Sequence, residues 1–317
     1  MKLSFVIPCY GSEFTIEAVI TEIDEVMAQK PEFSYEIICV NDCSPDNVLI
    51  VLKNIVSSNT QVTVVDLTRN MGKHAAVMAG YSLVSGDVII NLDDDGQCPI
   101  PNLWELIEPL RNGFDVSVAS YPIRKQSKFK NIGTNTKNLM DRVLVGMPKG
   151  IIFTNFSAVN RLIINEVLRY KNPYPYVNGL LLRATQKVAQ VTMEQRNRVE
   201  GNSHFTFRKS FSLWMDGFTA FSVKPLRIAT FLGFLVAIAG FAAGLFIIIK
   251  KLFITPNMAL GYPSLITVIL FIGGSIMLML GMLGEYIGRI YISINSSPQY
   301  VIREIIGDNR NTPSYLS

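Results

Sequence analysis

The segment Asn91-Leu92-Asp93-Asp94-Asp95-Gly96-Gln97 sets three carboxylates side by side, directly after the apolar run Val88-Ile89-Ile90. Adjacent carboxylates repel one another unless something positive sits among them. Hard oxygen ligands at a strand end suit Mg²⁺ or Mn²⁺, which would also bridge a substrate diphosphate. A helix-capping turn needs one such side chain, not three. Three further segments carry complementary chemistry. Pro8-Cys9-Tyr10-Gly11-Ser12-Glu13 offers a ring for a nucleobase at Tyr10 and a carboxylate at Glu13. Asn41-Asp42-Cys43-Ser44-Pro45-Asp46 offers acceptors for a base or ribose at Asp42 and Ser44, and reads equally well as an N-cap loop. Arg69-Asn70-Met71-Gly72-Lys73-His74 brings two cations and a glycine, the composition of a phosphate-facing loop.

Each segment follows a short apolar run: Leu3–Cys9, Tyr35–Asn41, Gln61–Leu67 and Asp87–Leu92, with a fifth run at Asp115–Ala119. Helical spacing separates them. Between Glu13 and Gln29 the apolar positions are Ile16, Val19, Ile20, Ile23, Val26 and Met27; Pro45–Val56 (Asp46 as N-cap), Lys73–Val84 and Leu103–Leu110 follow. Strand–helix alternation with short connections predicts a mainly parallel sheet covered on both faces. Continuous apolar strands agree with burial on both sides. Ligands of such sheets bind beyond the strands' carboxyl ends, where the four segments lie. Together they describe a pocket for a nucleotide diphosphate and its metal. No GxxxxGK[ST] or GxGxxG occurs, so a P-loop NTPase and a dinucleotide oxidoreductase are unsupported. Further on, Arg124–Lys137 is polar and basic, Phe156–Leu168 reads as a helix, and Gly179–Val191 as a helix followed by a strand. Phe205–Phe221, aromatic and amphipathic, reads as an interfacial helix.

Composition adds a second material. The 317 residues include 29 Lys and Arg and 25 Asp and Glu, or 17% charged, against roughly 25% for an ordinary soluble domain. From Ile228 to Gly284 the only charges are Lys250 and Lys251. This excludes a disordered chain, a collagen-like repeat and a purely soluble protein, and the stretch is too short for a multi-span transporter. A net charge of +4 without a dense basic tract gives no reason to expect a nucleic-acid partner. The four cysteines form no CxxC pair and there are two His, so the thiols read as buried and reduced, in a cytosolic domain. The N-terminal run is short and broken by Pro8, unlike a signal peptide. Ile228–Ile249 and Ser264–Gly284 each exceed the ~20 residues that cross a bilayer, and their glycines permit close helix contact. Arg208, Lys209, Lys224, Arg227, Arg289 and Arg303 flank the pair, against Lys250 and Lys251 in the linker, which places both flanks in the cytoplasm. The expected organisation is a cytoplasmic domain over 1–204 and interfacial helices over 205–227. Spans at 228–249 and 264–284 are joined by a periplasmic linker, 250–263. A cytoplasmic juxtamembrane helix and tail, 285–317, complete it.

Ile7-Pro8-Cys9-Tyr10, Asn41-Asp42-Cys43-Ser44, Arg69-Asn70-Met71-Gly72-Lys73, Gly86-Asp87 and Asp93-Asp94-Asp95-Gly96-Gln97 resemble family 2 glycosyltransferases of the GT-A fold. Pro225-Leu226-Arg227 and Leu283-Gly284-Glu285-Tyr286-Ile287-Gly288-Arg289-Ile290-Tyr291 resemble the bacterial polyprenyl-phosphate members of that family, a group that includes bactoprenol glucosyltransferases and undecaprenyl-phosphate aminoarabinose-type transferases and is related to dolichol-phosphate mannose synthase. The resemblance covers residues 3–302. It implies an α/β, Rossmann-like GT-A domain with a mainly parallel sheet, then amphipathic interface helices and two transmembrane helices. It implies transfer of a hexose from a nucleotide sugar, UDP favoured, to undecaprenyl or another polyprenyl phosphate with inversion, at the inner face of the bacterial cytoplasmic membrane, for cell-envelope glycan modification. A tetramer is implied by relatives.

The resemblance also implies roles. Metal ligands fall on Asp93, Asp95 and Gln97, with Mg²⁺ or Mn²⁺ as cofactor. Nucleotide-sugar contacts fall on Pro8, Tyr10, Glu13, Asp42, Ser44, Arg69, Lys73, Asp93 and Asp94. Arg124, Lys130 and Thr134 would hold the acceptor phosphate. Arg198-Val199-Glu200-Gly201-Asn202-Ser203-His204 resembles a loop that closes on the diphosphates, so Asp95 and Arg198 take catalytic roles, and Ser203 and His204 contact the acceptor phosphate. Here Asp94 replaces the usual Ala, Gln97-Cys98-Pro99-Ile100 replaces Gln-x-Pro-Pro, His204 replaces Lys, and Ser296-Ser297-Pro298 replaces Arg-x-Arg-Pro. Glu285 and Arg289 are spaced as an i,i+4 ion pair. A processive polysaccharide synthase would need a Gln-x-x-Arg-Trp segment and more spans. An inactive scaffold or flippase partner has no need of Asp93, Asp95 and Gln97.

Overall fold

In the computed structural model, the described residues are 1–121, 153–194, 196, 261–294 and 298–307, with single helical positions between 231 and 253. The chain forms two units. Met1–Thr206 together with Ser296–Ser317 make the first, and Phe207–Asn295 the second.

In the first unit, strands β1 (Lys2–Cys9), β2 (Ser34–Asn41), β3 (Val62–Leu67) and β4 (Val88–Asn91) alternate with helices α1 (Ile16–Ala28), α2 (Val48–Ser58) and α3 (Lys73–Tyr81). Helix α4 (Leu103–Arg111), strand β5 (Val116–Ser120), strand β6 (Ser157–Asn160), helix α5 (Arg161–Val167), helix α6 (Val177–Ala184) and strand β7 (Val188–Thr192) follow, and strand β8 (Ile302–Ile306) closes the unit. The sheet order is β7-β5-β6-β4-β1-β2-β3-β8. The block β4-β1-β2-β3 is parallel, whereas β6 runs antiparallel to both β4 and β5, and β8 antiparallel to β3. The sheet is therefore mixed. Register aligns the carboxyl ends: Cys9 lies opposite Asn41, and Asn41 opposite Asp66.

The six apolar positions predicted for α1 are its six buried residues. They pack on Leu3, Phe5 and Ile7 of β1 and Ile37 and Cys39 of β2 in one core. Helix α3 covers the other face with Ala75–Tyr81 entirely buried. It approaches closely because residue 80 is glycine: a Cβ there would meet Val6 Cγ1 at 2.5 Å. Cys9, Cys39 and Cys98 are buried and Cys43 is partly exposed, all as free thiols.

Two expectations change. Phe156–Leu168 is not one helix, because Ser157–Asn160 fills the gap between β4 and β5 and its backbone groups join both neighbours. The tail after the last helix is no mere extension, since Ile302–Ile306 pairs with the exposed edge of β3. Arg303 reaches the buried Asp66 at 3.1 Å and Lys53 pairs with Glu304 at 2.7 Å.

At the opposite end of the sheet from the strands' carboxyl termini, Glu36 accepts from Lys2 Nζ (2.8 Å), Ser4 Oγ (2.5 Å), Ser85 N (2.6 Å) and Ser85 Oγ (2.8 Å). Burial alone would raise its pKa, but these donors outweigh it and hold the carboxyl below its ordinary value. A depressed native pKa contributes stability above the unfolded value, lost as pH falls through the native one. Glu36→Gln should cost about 2 kcal/mol at pH 7 and flatten the acid limb below about pH 4.5, read by urea midpoints from pH 7 to pH 3. Gly86 stands beside this cluster, and a Cβ would lie 2.8 Å from Lys2 O and 2.9 Å from Ser4 N. Backbone cannot yield as a side-chain tip can, so Gly86→Ala should cost about 2 kcal/mol, measured by the same midpoints at pH 7.

In the second unit, one unbroken helix, α7, runs Tyr262–Ile294, so the stretches 264–284 and 285–294 belong to a single element. Its window Phe271–Gly288 has mean hydropathy 1.4 and is long and apolar enough to cross a membrane. Phe271, Met277, Leu280 and Ile287 are exposed on it. Of the stretch 228–249, single positions are described, and they are helical. At one of them, Gly233, a Cβ would collide with Met279 Cε, so the two helices touch where glycine removes the side chain. Most of the linker, the interfacial helices of 205–227 and the side chains of Glu285 and Arg289 lie outside the described residues, and α7 takes in the linker's last two positions, Tyr262 and Pro263.

Candidate active site

The four segments after β1–β4 are tied into a closed ring. The first binds the second through Gly11 N to Ser44 Oγ (2.8 Å), Glu13 N to Asp46 Oδ2 (3.0 Å) and Asn47 N to Glu13 Oε2 (2.9 Å). Asp46 Oδ1 takes Ser44 Oγ at 2.6 Å and Val48 N at 3.3 Å, but the N-cap of α2 is Asn47, one residue later than the sequence suggested. The second binds the third through Asp42, whose two oxygens accept Met71 N (2.7 Å) and Gly72 N (2.9 Å). The third binds the fourth through Lys73 and Asp93. The fourth returns to the first: Asp94 Oδ2 accepts Tyr10 N at 3.0 Å, and Asp94 O accepts Thr15 Oγ1 at 2.6 Å.

This ring assigns the extra carboxylate. Asp94 is the fastener between the triad and the Tyr10 turn. Burial raises its pKa to about 6, against the lowering effect of the Tyr10 N–H and Ser12 hydroxyl, with the Asp93 charge adding to the rise. Asp42, 3% exposed, is likewise engaged with backbone, and burial moves its pKa up despite two N–H donors. Glu13 and Ser44 brace loops. Tyr10 is left 53% exposed, its ring available to stack, and Phe14 nearby in sequence is 78% exposed. Pro8 lines a narrow cleft with Lys73, His74, Asp93, Asn155 and Asn178. His74 meets Tyr176 edge-on at 5.1 Å. Arg69 is exposed, with Nε 3.0 Å from Met71 Sδ.

Asn155 was not legible in the sequence. Its Nδ2 donates to Asp93 Oδ2 at 2.7 Å. The preceding Thr154 anchors it, donating to Ala119 O at 2.6 Å. Its one sequence signal is a polar Thr-Asn pair just before Phe156. The predicted Arg124, Lys130, Thr134, Arg198, Ser203 and His204 lie outside the described residues.

The residues fit a metal only in part on their own. Among the described residues, no three His, Cys, Asp or Glu side chains converge as a ready cation cage. Asp93 faces Lys73 and Asn155, and Asp95 Oδ1 accepts Gln97 N at 3.1 Å. Two hard carboxylates two residues apart suit a Mg²⁺ or Mn²⁺ whose remaining ligands would come from a bound diphosphate.

A mixed α/β sheet of GT-A type, with Lys73, Asp93, Asp94 and Asp95 gathered at its carboxyl edge, is the frame of a glycosyltransferase. Residues 4–170 match Glycosyl transferase family 2, and the chain belongs to that family. Residues 224–290 match the GtrB C-terminal hairpin, which places it within the polyprenyl-phosphate branch. An uncharacterised glycosyltransferase of Bacillus subtilis, YkcC, is 33% identical over 97% of this chain and 95% of its own length. The bactoprenol glucosyl transferase of Shigella phage SfII is 33% identical over 96% and 98%. The undecaprenyl-phosphate 4-deoxy-4-formamido-L-arabinose transferase of Yersinia pestis is 30% identical over 96% and 94%. A solved mannosyl-3-phosphoglycerate synthase from Rubrobacter xylanophilus is 18% identical, covering 68% of this chain and 72% of its own, at a TM-score of 0.49.

Proposed function

We propose that the protein transfers a hexose, with inversion, from a nucleotide sugar, UDP-linked by preference, to undecaprenyl or another polyprenyl phosphate at a membrane. The carrying observation is the full-length similarity to two transferases named for that acceptor class, in a chain whose four strand-end loops close into one ring that includes Asp93. The acceptor is already an anion, so a strong general base is dispensable and the work is electrostatic alignment. Tyr10 stacks the base, and the ring fixes the loops that bear it. Lys73 neutralises the leaving diphosphate. Asp93, Asp95 and Gln97 would hold the divalent ion, which supplies charge neutralisation on that leaving group when bound. Arg124, Lys130, Thr134, Ser203 and His204 receive the acceptor phosphate, and Arg198 closes on the diphosphate.

Two crossings of the membrane accord with the fold. The first unit contains sequence from both sides of the apolar region, since β8 is hydrogen-bonded to β3. A chain that leaves and re-enters one sheet crosses an even number of times. The test is purified full-length protein with labelled sugar nucleotides, Mg²⁺ or Mn²⁺, and undecaprenyl phosphate. A chloroform-soluble glycolipid is expected. A polymeric product would favour a synthase, and no product from any donor would defeat the reading.

A further inference from the structure

We propose that Lys73 is a cation placeholder. Its ammonium rests on Asp93 while the site is empty and moves to the donor's diphosphate on binding, so divalent metal and nucleotide bind cooperatively. The identity of that diphosphate rests on the function proposed above, whereas the placeholder role does not.

Both oxygens of Asp93 are engaged by this chain's own donors, Oδ1 by Lys73 Nζ and Oδ2 by Asn155 Nδ2. Each oxygen keeps a second lone pair, so a metal could bind beside the neutral Asn155 amide, but beside the Lys73 ammonium two cations would repel across one carboxylate. The two donors differ in freedom. Asn155 is short and follows Thr154, which is pinned to β5. Lys73 has a four-carbon stem and a side chain 40% exposed, while its backbone end is fixed because the preceding Gly72 N–H is held by Asp42. Lys73 is the group able to leave.

Leaving has opposite consequences with and without nucleotide. Without it, the incoming metal expels an ammonium from its carboxylate partner into water, and the two cations repel across one site. With it, a diphosphate of higher charge takes the ammonium while the metal replaces the lost positive charge on Asp93. Each event removes the obstacle to the other, and linkage makes the effect reciprocal. A lysine that simply touched phosphate, without holding Asp93 beforehand, would strengthen nucleotide binding equally with and without metal.

The experiment titrates Mn²⁺ into the full-length protein in detergent, reading free Mn²⁺ by electron paramagnetic resonance, with and without UDP and with correction for Mn²⁺–UDP association in solution. Wild type, Lys73→Met and Lys73→Arg are compared, with thermal midpoints confirming that each folds. For Lys73→Met, Mn²⁺ alone should bind about tenfold tighter, and the factor by which UDP tightens Mn²⁺ should fall by a similar amount. Lys73→Arg, which keeps charge and reach, should restore wild-type coupling. Unchanged affinity for Mn²⁺ alone in Lys73→Met would overturn the proposal, as would UDP binding weakened equally with and without Mn²⁺. Failure of UDP to bind wild type at all would count against the donor, while the Mn²⁺-alone arm still decides the placeholder.

Discussion

Asp95→Asn should lower sugar transfer by about a thousandfold and leave the protein folded and inserted. Asn retains the oxygen that accepts Gln97 N at 3.1 Å, so the turn after β4 keeps its shape. What disappears is one negative charge next to Asp93, on the side of the sheet where the strand ends converge. With the proposed chemistry, that charge holds the ion that neutralises the departing diphosphate, an interaction strongest as the bond breaks and therefore felt in kcat. Turnover of labelled nucleotide sugar into chloroform-soluble product measures the loss, and a thermal midpoint close to wild type shows that it is not unfolding. Near-normal turnover would remove Asp95 from the machinery. A cellular phenotype that survives the loss of turnover would instead favour the scaffold reading.

The contrast between Asp95 and its neighbour Asp94 shows what the sequence disclosed and what it withheld. Three carboxylates in a row announced a site, because local charge repulsion is a property of neighbours in the chain. That Asp94 fastens Tyr10 is a property of register: β1 and β4 pair in parallel, and their carboxyl ends bring residues 84 apart in sequence within 3.0 Å. The same division runs through the fold. Helix α1 was readable because burial of one face imposes a 3.6-residue period, and β1 to β3 because burial of both faces imposes continuous apolar runs. Strand β6, Ser-Ala-Val-Asn, carries neither signature and is extended because two neighbouring strands demand its backbone groups. Strand β8 lies beyond the apolar helix, and nothing local to Ile302–Ile306 indicates that the edge of β3, some 240 positions earlier, is its partner. Asn155 is invisible for the same reason: its partner Asp93 is reached through Thr154 and Ala119 rather than through spacing.

Asp42→Ala is expected to cost both stability and nucleotide affinity, and the pairing of the two losses is the informative part. From the sequence, Asp42 is a contact for the base or ribose. In the structure it is 3% exposed and accepts Met71 N and Gly72 N, the two residues that lead into Lys73. Alanine leaves two part-buried donors without their acceptor, each at the low end of about 1–3 kcal/mol, so the empty protein should lose about 2 kcal/mol in urea titrations. Release of the turn also frees the base of the Lys73 side chain. The ammonium then reaches Asp93 or a diphosphate from a wider range of positions, and the affinity for UDP should fall at least tenfold by the ordering cost alone. Asp42→Asn discriminates further. It keeps one acceptor oxygen but turns an NH₂ toward the second N–H, so it should rescue little of the stability despite its similar shape. A residue that served the nucleotide alone would give a different pattern: weaker UDP binding in both variants, with the unfolding midpoint of the empty protein unmoved.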